Sequence, residues 1–163
     1  MKTSGDLVLC LVEHNTALYW QIVALRNKVL RKPLNLEFSK SELLAEYDQI
    51  HFGFYKGDKL MGCFAFVKKS DSTLKMRQVA VDPVIQGQGI GQQMVKASEN
   101  WAIKNGYNLI ELSARSAAKS FYQKLNYIAE GAVFEEVGIP HYKMKKALIK
   151  SAHKERFLNI QVK

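Results

Sequence analysis

Three glycines fall within five residues in Gln86-Gly87-Gln88-Gly89-Ile90-Gly91. Glycines at that density let consecutive backbone N–H groups turn to one side. Where such a loop opens a helix, the free amides and the helix dipole add to a partial positive charge. The chemistry this suits is binding of a phosphate or pyrophosphate. One glycine would suffice for a tight strand-to-helix turn, so three point to close approach of a ligand to the main chain. Two common nucleotide loops are excluded. A Walker loop needs Gly-Lys-Ser or Gly-Lys-Thr, whereas Gly91 is followed by Gln92-Gln93. A dinucleotide fold needs another glycine spacing, a parallel strand before the loop, and an acid for the ribose about twenty residues on. With no HExxH, paired CxxC or EF-hand pattern, no metal is expected. Cys10 and Cys63 lie in apolar runs and read as core thiols, without the local signature of a Cys-His nucleophile.

The loop must be positioned by the elements around it. Alternation at Leu7, Leu9 and Leu11 predicts a first strand. A helix capped by Asn15 or Thr16 follows, with its stripe at Leu18, Ile22, Leu25 and Val29, and Pro33 closes it or its extension. Ser39 and Glu42 form a capping box that opens a short helix through Tyr47. Strands over 50–55 and 60–67 are joined by the hairpin turn Lys56-Gly57-Asp58. The second is apolar on both faces, Leu60, Phe64 and Phe66 against Met61, Cys63 and Val67, so both sides should be covered. A third strand over 74–81 completes an antiparallel meander, which contradicts a dinucleotide fold. Then come a helix from Gly89 to Asn105 stopped by Gly106, a strand over 109–113 parallel to the one before the helix, and a helix over 116–125. Two last strands fall near 128–134 and 141–148. The class is α+β, a mixed order without internal repeat.

Taken together, these motifs resemble the GNAT-type N-acetyltransferases. That family's signature is Arg or Gln, two residues, Gly, one residue, then Gly or Ala, and Gln86 to Gly91 matches it. Gln78-Val79-Ala80-Val81-Asp82-Pro83 precedes it at the right spacing, and Ala118-Lys119-Ser120-Phe121-Tyr122-Gln123-Lys124-Leu125-Asn126-Tyr127 follows. The resemblance covers roughly residues 5–148. It implies a mostly antiparallel, twisted sheet with helices on both faces, whose central parallel strand pair splays to hold acetyl-CoA. The main chain at Val79, Ala80 and Val81 would run along the pantetheine arm. Gln86, Gly87, Gln88, Gly89, Ile90, Gly91 and Gln92 would surround the pyrophosphate, chiefly through the amides from Gln88 to Gln92. The reaction implied is direct transfer of an acetyl group from thioester to primary amine, with the Val79 amide as oxyanion donor and Tyr122 contacting the cofactor and protonating the departing thiolate.

The general base is less determined. Where many relatives have a carboxylate or histidine, the strand before the loop offers Lys75, Arg77 and Gln78. The candidates become Glu111, Glu136, His141 and His51, each of which has a structural or solvated reading as well. Glu136 and His141 are put forward for acceptor binding or deprotonation, because histidine titrates near neutrality and loops carry function. The acceptor should lie between the segment Leu34-Asn35-Leu36-Glu37 and the Glu136 to His141 loop. Arg115 stands where many relatives have an asparagine at the cofactor, and could reach a phosphate or an acidic acceptor. Asn126 replaces a usual glycine and tolerates the left-handed conformation.

Composition bounds the rest. The chain of 163 residues, 47% apolar and 24% charged, supports one domain and excludes disordered or fibrous classes. Its longest early apolar run, Leu7 to Val12, is too short for a signal core or a membrane span, so a reduced, cytoplasmic setting with no membrane partner is expected. The net charge of +9 divides into +2 over 1–72, +1 over 73–142 and +6 over 143–163. We therefore expect a domain over 1–148 and a basic tail over 149–163. The tail lacks the interleaved aromatics of a nucleic-acid reader, which disfavours that partner. The partners expected are acetyl-CoA and an amine acceptor, with room for a homodimer. The alternative is a non-catalytic acyl-CoA-binding or nucleic-acid-associated module using the same fold and the tail.

Overall fold

The computed structural model describes residues 5–149 and 160–162. Its strands are β1 (Leu7–Val12), β2 (Ile50–Lys56), β3 (Lys59–Lys68), β4 (Thr73–Val81), β5 (Leu109–Arg115), β6 (Ile128–Glu136), β7 (Ile139–Ala147) and β8 (Ile160–Val162). Helices α1 (Ala17–Arg26), α2 (Lys40–Leu44), α3 (Ile90–Lys104) and α4 (Lys119–Lys124) complete the regular structure. The strands form one mixed sheet in the order β6-β7-β5-β4-β3-β2-β1-β8. Among the described strands only β4 with β5 and β1 with β8 run parallel. No described helix is long and apolar enough to cross a membrane.

Because the central strands are apolar on both faces, the sheet needs two covers. Phe52, Phe64, Phe66, Leu74, Met76 and Leu112 pack under α3 and α4, where Trp101 meets Phe52 edge-on at 5.1 Å. Cys63 and Ala80 face the other way, against Tyr19, Ile22 and Val23 of α1. The face alternation expected along β3 is broken. Phe54 pairs with Gly62 but Tyr55 with Leu60, leaving Met61 as an extra residue. Such a bulge reverses the side-chain parity. Met61 therefore joins Phe64 and Phe66, and Leu60 joins Cys63.

The first helix begins as expected, with the Thr16 hydroxyl accepting from the Tyr19 amide at 3.3 Å. It outlasts Arg26 as a wide π turn, Asn27–Arg31, and a 3-10 turn, Lys32–Leu34, which holds Pro33 and ends at left-handed Asn35 (φ 56°). The π turn lies against β4 and brings Leu30 and Arg31 over the sheet. The Ser39–Glu42 capping box is present in both directions, at 3.1 and 2.7 Å. Helix α2 stops at Leu44 rather than Tyr47, and the turns that follow direct Glu46 inward. Much of the segment expected as a basic tail, 150–159 and 163, lies outside the described residues. Ile160–Val162 pair with β1 as an edge strand that the sequence pattern did not indicate.

Candidate active site

The site is built on an interruption of the sheet. β4 pairs with β5 only from Thr73–Leu109 to Met76–Leu112. β5 continues to Arg115 alongside β7, whereas β4 leaves. The cause is a bulge. Ala80 pairs with Cys63 and Arg77 with Ala65, so β4 carries one extra residue there, and Gln78 takes a left-handed conformation (φ 55°). Beyond the bulge the Asp82 amide donates to Met61 O at 3.0 Å. By alternation, Ala80 also addresses β3, while Val79 and Val81 turn their N–H and C=O groups into the gap. The edge facing the gap is thus free of strand pairing.

The glycine loop closes one end of the gap. The Asp82 carboxylate accepts from the Val84 amide at 3.1 Å and starts a short 3-10 turn, Pro83–Ile85. The Gln86 side chain then donates to Val81 O at 3.1 Å, tying loop to strand. Gly89 caps α3 at φ 79° with no side-chain cap hydrogen bond, and the first ladder bond joins the Gln93 amide to Gly89 O. The amides of Ile90, Gly91 and Gln92 are therefore left without helical acceptors. At Gly91 a Cβ would stand 3.4 Å from the Phe121 ring and 3.5 Å from Val81, ordinary van der Waals contact, so protein packing alone does not demand a glycine there.

At the other end of the gap lies a cavity of about 350 Å³. It brings together residues distant in sequence: Val79 of β4, Tyr122 of α4, Arg115 of β5, and Glu136 and His141 of the β6–β7 hairpin. Tyr122 is 5% exposed, its ring against Phe121 and Tyr127 at 5.0 and 5.6 Å. Burial pushes its phenol well above the ordinary tyrosine value. Its hydroxyl has no protein hydrogen-bond partner among the described residues. His141 is 3% exposed. Its Nδ1 lies 2.9 Å from Ile139 O and its Nε2 3.6 Å from a Glu136 carboxylate oxygen. Nδ1 facing a carbonyl is a donor, which leaves Nε2 as the ring nitrogen facing Glu136.

Two other base candidates lie off this cavity. Glu111 pairs in register with Lys75 and lines an adjoining hollow. His51 is buried against Tyr19 and Glu46, with Nε2 2.9 Å from Glu46 O. From the first helical region the cavity wall is Leu30 and Arg31, not the segment over 34–37. Those two residues carry no motif. Only the π turn brings them here.

Strain collects on the same wall. The β6–β7 turn is Val137-Gly138 with φ 47° and 76°, the two-residue type I′ geometry that favours Asn-Gly. A β-branched residue in this conformation costs about 1–2 kcal/mol. Val137→Asn should raise stability by about 1 kcal/mol and the melting temperature by about 2–4 °C. A lowered melting temperature would show that the turn is not strained.

A sheet that opens beyond a central parallel pair, with a glycine loop closing the opening, is the framework of the GNAT fold. Residues 26–148 match the Acetyltransferase (GNAT) domain family, and the chain belongs to it. It is 30% identical to Protein ElaA of Escherichia coli (strain K12) over 112 residues, 64% of this chain and 70% of that one. Among solved structures, the crystal structure of Escherichia coli ElaA superposes with a TM-score of 0.71 at 21% identity, over 86% of this chain and 99% of that one. A Bacillus subtilis acetyltransferase in complex with CoA superposes with a TM-score of 0.69 at 20% identity, over 88% of this chain and all of that one. At these identities the structural likeness is one of fold.

Proposed function

We propose that the chain transfers the acetyl group of acetyl-CoA directly to a primary amine held in the cavity. The observation that carries this reading is the bare edge of β4 after Met76, open towards the cavity where Tyr122, His141 and Glu136 meet. A pantetheine arm carries two amides, and it pairs with the exposed groups of Val79 and Val81 as an added strand would. Val81 O, already bonded to Gln86, keeps a second lone pair. The amides from Gln88 to Gln92 hold the pyrophosphate, supported by the helix dipole of α3.

With the thioester beside Val79, the amine nitrogen attacks the acyl carbon. The N–C bond forms, and the Val79 N–H stabilises the developing oxyanion. His141 takes the amine proton at Nε2, and Glu136 steadies the imidazolium. The C–S bond then breaks, and the Tyr122 hydroxyl delivers its proton to the departing sulfur. Proximity does the rest: both substrates are held in one small cavity.

Binding and transfer are tested separately. Acetyl-CoA at roughly a hundred times its Kd should stabilise the protein by about 2.7 kcal/mol, read as a rise in melting temperature. Gly89→Val places a β-branched residue at φ 79° and should remove most of that rise. No rise in the unsubstituted protein sinks the cofactor reading. Release of free CoA thiol with amines separates the transferase from a module that merely binds acyl-CoA, which would show the thermal rise alone.

A further inference from the structure

We propose that the acceptor amine carries an anionic group, a carboxylate or a phosphate, received by Arg31 and Arg115. The proposal rests on the acetyl-transfer reading for the amine, and on the cavity itself for the anion. Both guanidiniums line that cavity. Each has an uncharged partner. Arg115 Nη2 donates to Leu30 O at 2.6 Å, and Arg31 stacks over the Phe38 ring at 4.0 Å. Arg115 makes no ion pair among the described residues, and Arg31 has only long contacts of 3.3–3.4 Å to the half-exposed Glu42. Two fixed cations therefore sit side by side in a partly desolvated space. The strain of that arrangement is visible in Arg115, whose guanidinium is held below its ordinary value by burial and then by Arg31, with Glu136 opposing.

The phosphates of a bound acyl-CoA do not account for this charge. They belong at the glycine loop, beyond Val81, whereas continuing the Met76–Leu112 register brings Arg115 level with Val79. Arg115 also leaves β5 on the face opposite Ala114, which is buried under α4. It thus points to the α1 side, where Leu30 and Arg31 form the wall. Lys75 and Arg77 line the same space, with Glu136 the one carboxylate on its walls among the described residues. A positive cavity repels an ammonium and so favours the neutral, nucleophilic amine. An anionic group on the same molecule restores affinity through charge-assisted, bidentate hydrogen bonds. A cavity of about 350 Å³ shared with the thioester limits the acceptor to a small molecule.

The test uses two matched pairs of amines, δ-aminovalerate against its carboxamide and phosphoethanolamine against ethanolamine. Acetyl-CoA-dependent thiol release is measured for each, and binding by titration calorimetry in the presence of CoA. The anionic member of at least one pair should have a kcat/KM roughly tenfold or more above its neutral partner, and the pair that shows it names the anion. Arg31→Gln and Arg115→Gln should each shrink that ratio towards one through KM, while the acetyl-CoA melting shift shows that each variant is folded. Equal turnover and equal binding within both pairs overturn the proposal. So does a ratio that survives both substitutions, and so does binding of neither member. Thiol release from none of the amines, together with a calorimetric preference for an anionic member that the substitutions abolish, removes the transferase reading and leaves the anion site standing.

Discussion

Tyr122→Phe should lower kcat for thiol release by about a hundred- to ten-thousand-fold, the range that general acid catalysis contributes, while the melting shift produced by acetyl-CoA stays close to that of the unsubstituted protein. The separation follows from the residue's surroundings. Its ring packs against Phe121 and Tyr127, and phenylalanine preserves those contacts. Its hydroxyl bonds to no described protein group, so removing it breaks no internal hydrogen bond and should leave stability unchanged or slightly raised. Burial raises the phenol's pKa and so keeps the proton on oxygen at neutral pH. The same exclusion of water would raise the basicity of a departing thiolate, so donor and acceptor remain matched. Steady-state thiol release, read beside the cofactor's melting shift, checks the prediction. An unchanged kcat removes the acid role and reduces Tyr122 to a packing residue.

The parts of this site readable in the sequence are those governed by local rules. The glycine loop, the capping box at Ser39 and Glu42 and the left-handed Asn126 (φ 71°) depend on a few neighbouring residues each. Each stands as its residue types imply. The order of strands and helices also follows, because apolar alternation and its change to helical period report burial directly. The splay that makes the fold useful was legible only through the family resemblance. Its mechanical cause, an extra residue at Gln78 with φ 55°, lies in a strand whose residue types favour no bulge. At Met61 a bulge reverses the faces of β3, and the neighbouring Gly62 was a local sign of it that alternation alone passed over.

The acceptor wall was harder still. Arg31 is one of 24 basic residues, and nothing in its neighbours separates it from the others. It becomes a site residue because α1 widens into a π turn against β4, a consequence of tertiary packing. Glu136 and His141 were readable as candidates on one loop, which the structure shortens to a tight hairpin by extending the strands to Glu136 and from Ile139. The type I′ turn at Val137-Gly138 explains why they meet, since it returns the chain with Glu136 paired to Ile139 and His141 two residues further on.

Arg26→Ala should destabilise the fold by about 3–5 kcal/mol, and Arg26→Met combined with Glu46→Leu should recover most of that loss. Arg26 is 1% exposed and binds Glu46 through two parallel bonds, 2.7 and 2.5 Å, with Glu46 also accepting from the Tyr19 hydroxyl at 2.8 Å. Truncating the arginine leaves a carboxylate buried against the hydroxyl alone, whereas replacing both partners by apolar groups removes the unpaired charge. Burial by itself would raise the Glu46 carboxyl, but the Arg26 guanidinium and then Tyr19 outweigh it and hold the pKa below the usual carboxylate range. Stability from this depressed pKa is therefore present above the unfolded carboxyl's value of about 4.3 and is lost as pH falls through the lower folded value. The consequence reaches the cavity, because the Phe38 ring lies 4.3 Å from Arg26 and 4.0 Å from Arg31. Denaturant unfolding of the single and double variants measures the pair. A single-variant cost below about 1 kcal/mol would place it among pairs of the surface kind, and the docking of α1 over the site would then rest on its apolar contacts, Tyr19, Ile22, Val23 and Leu25 among them.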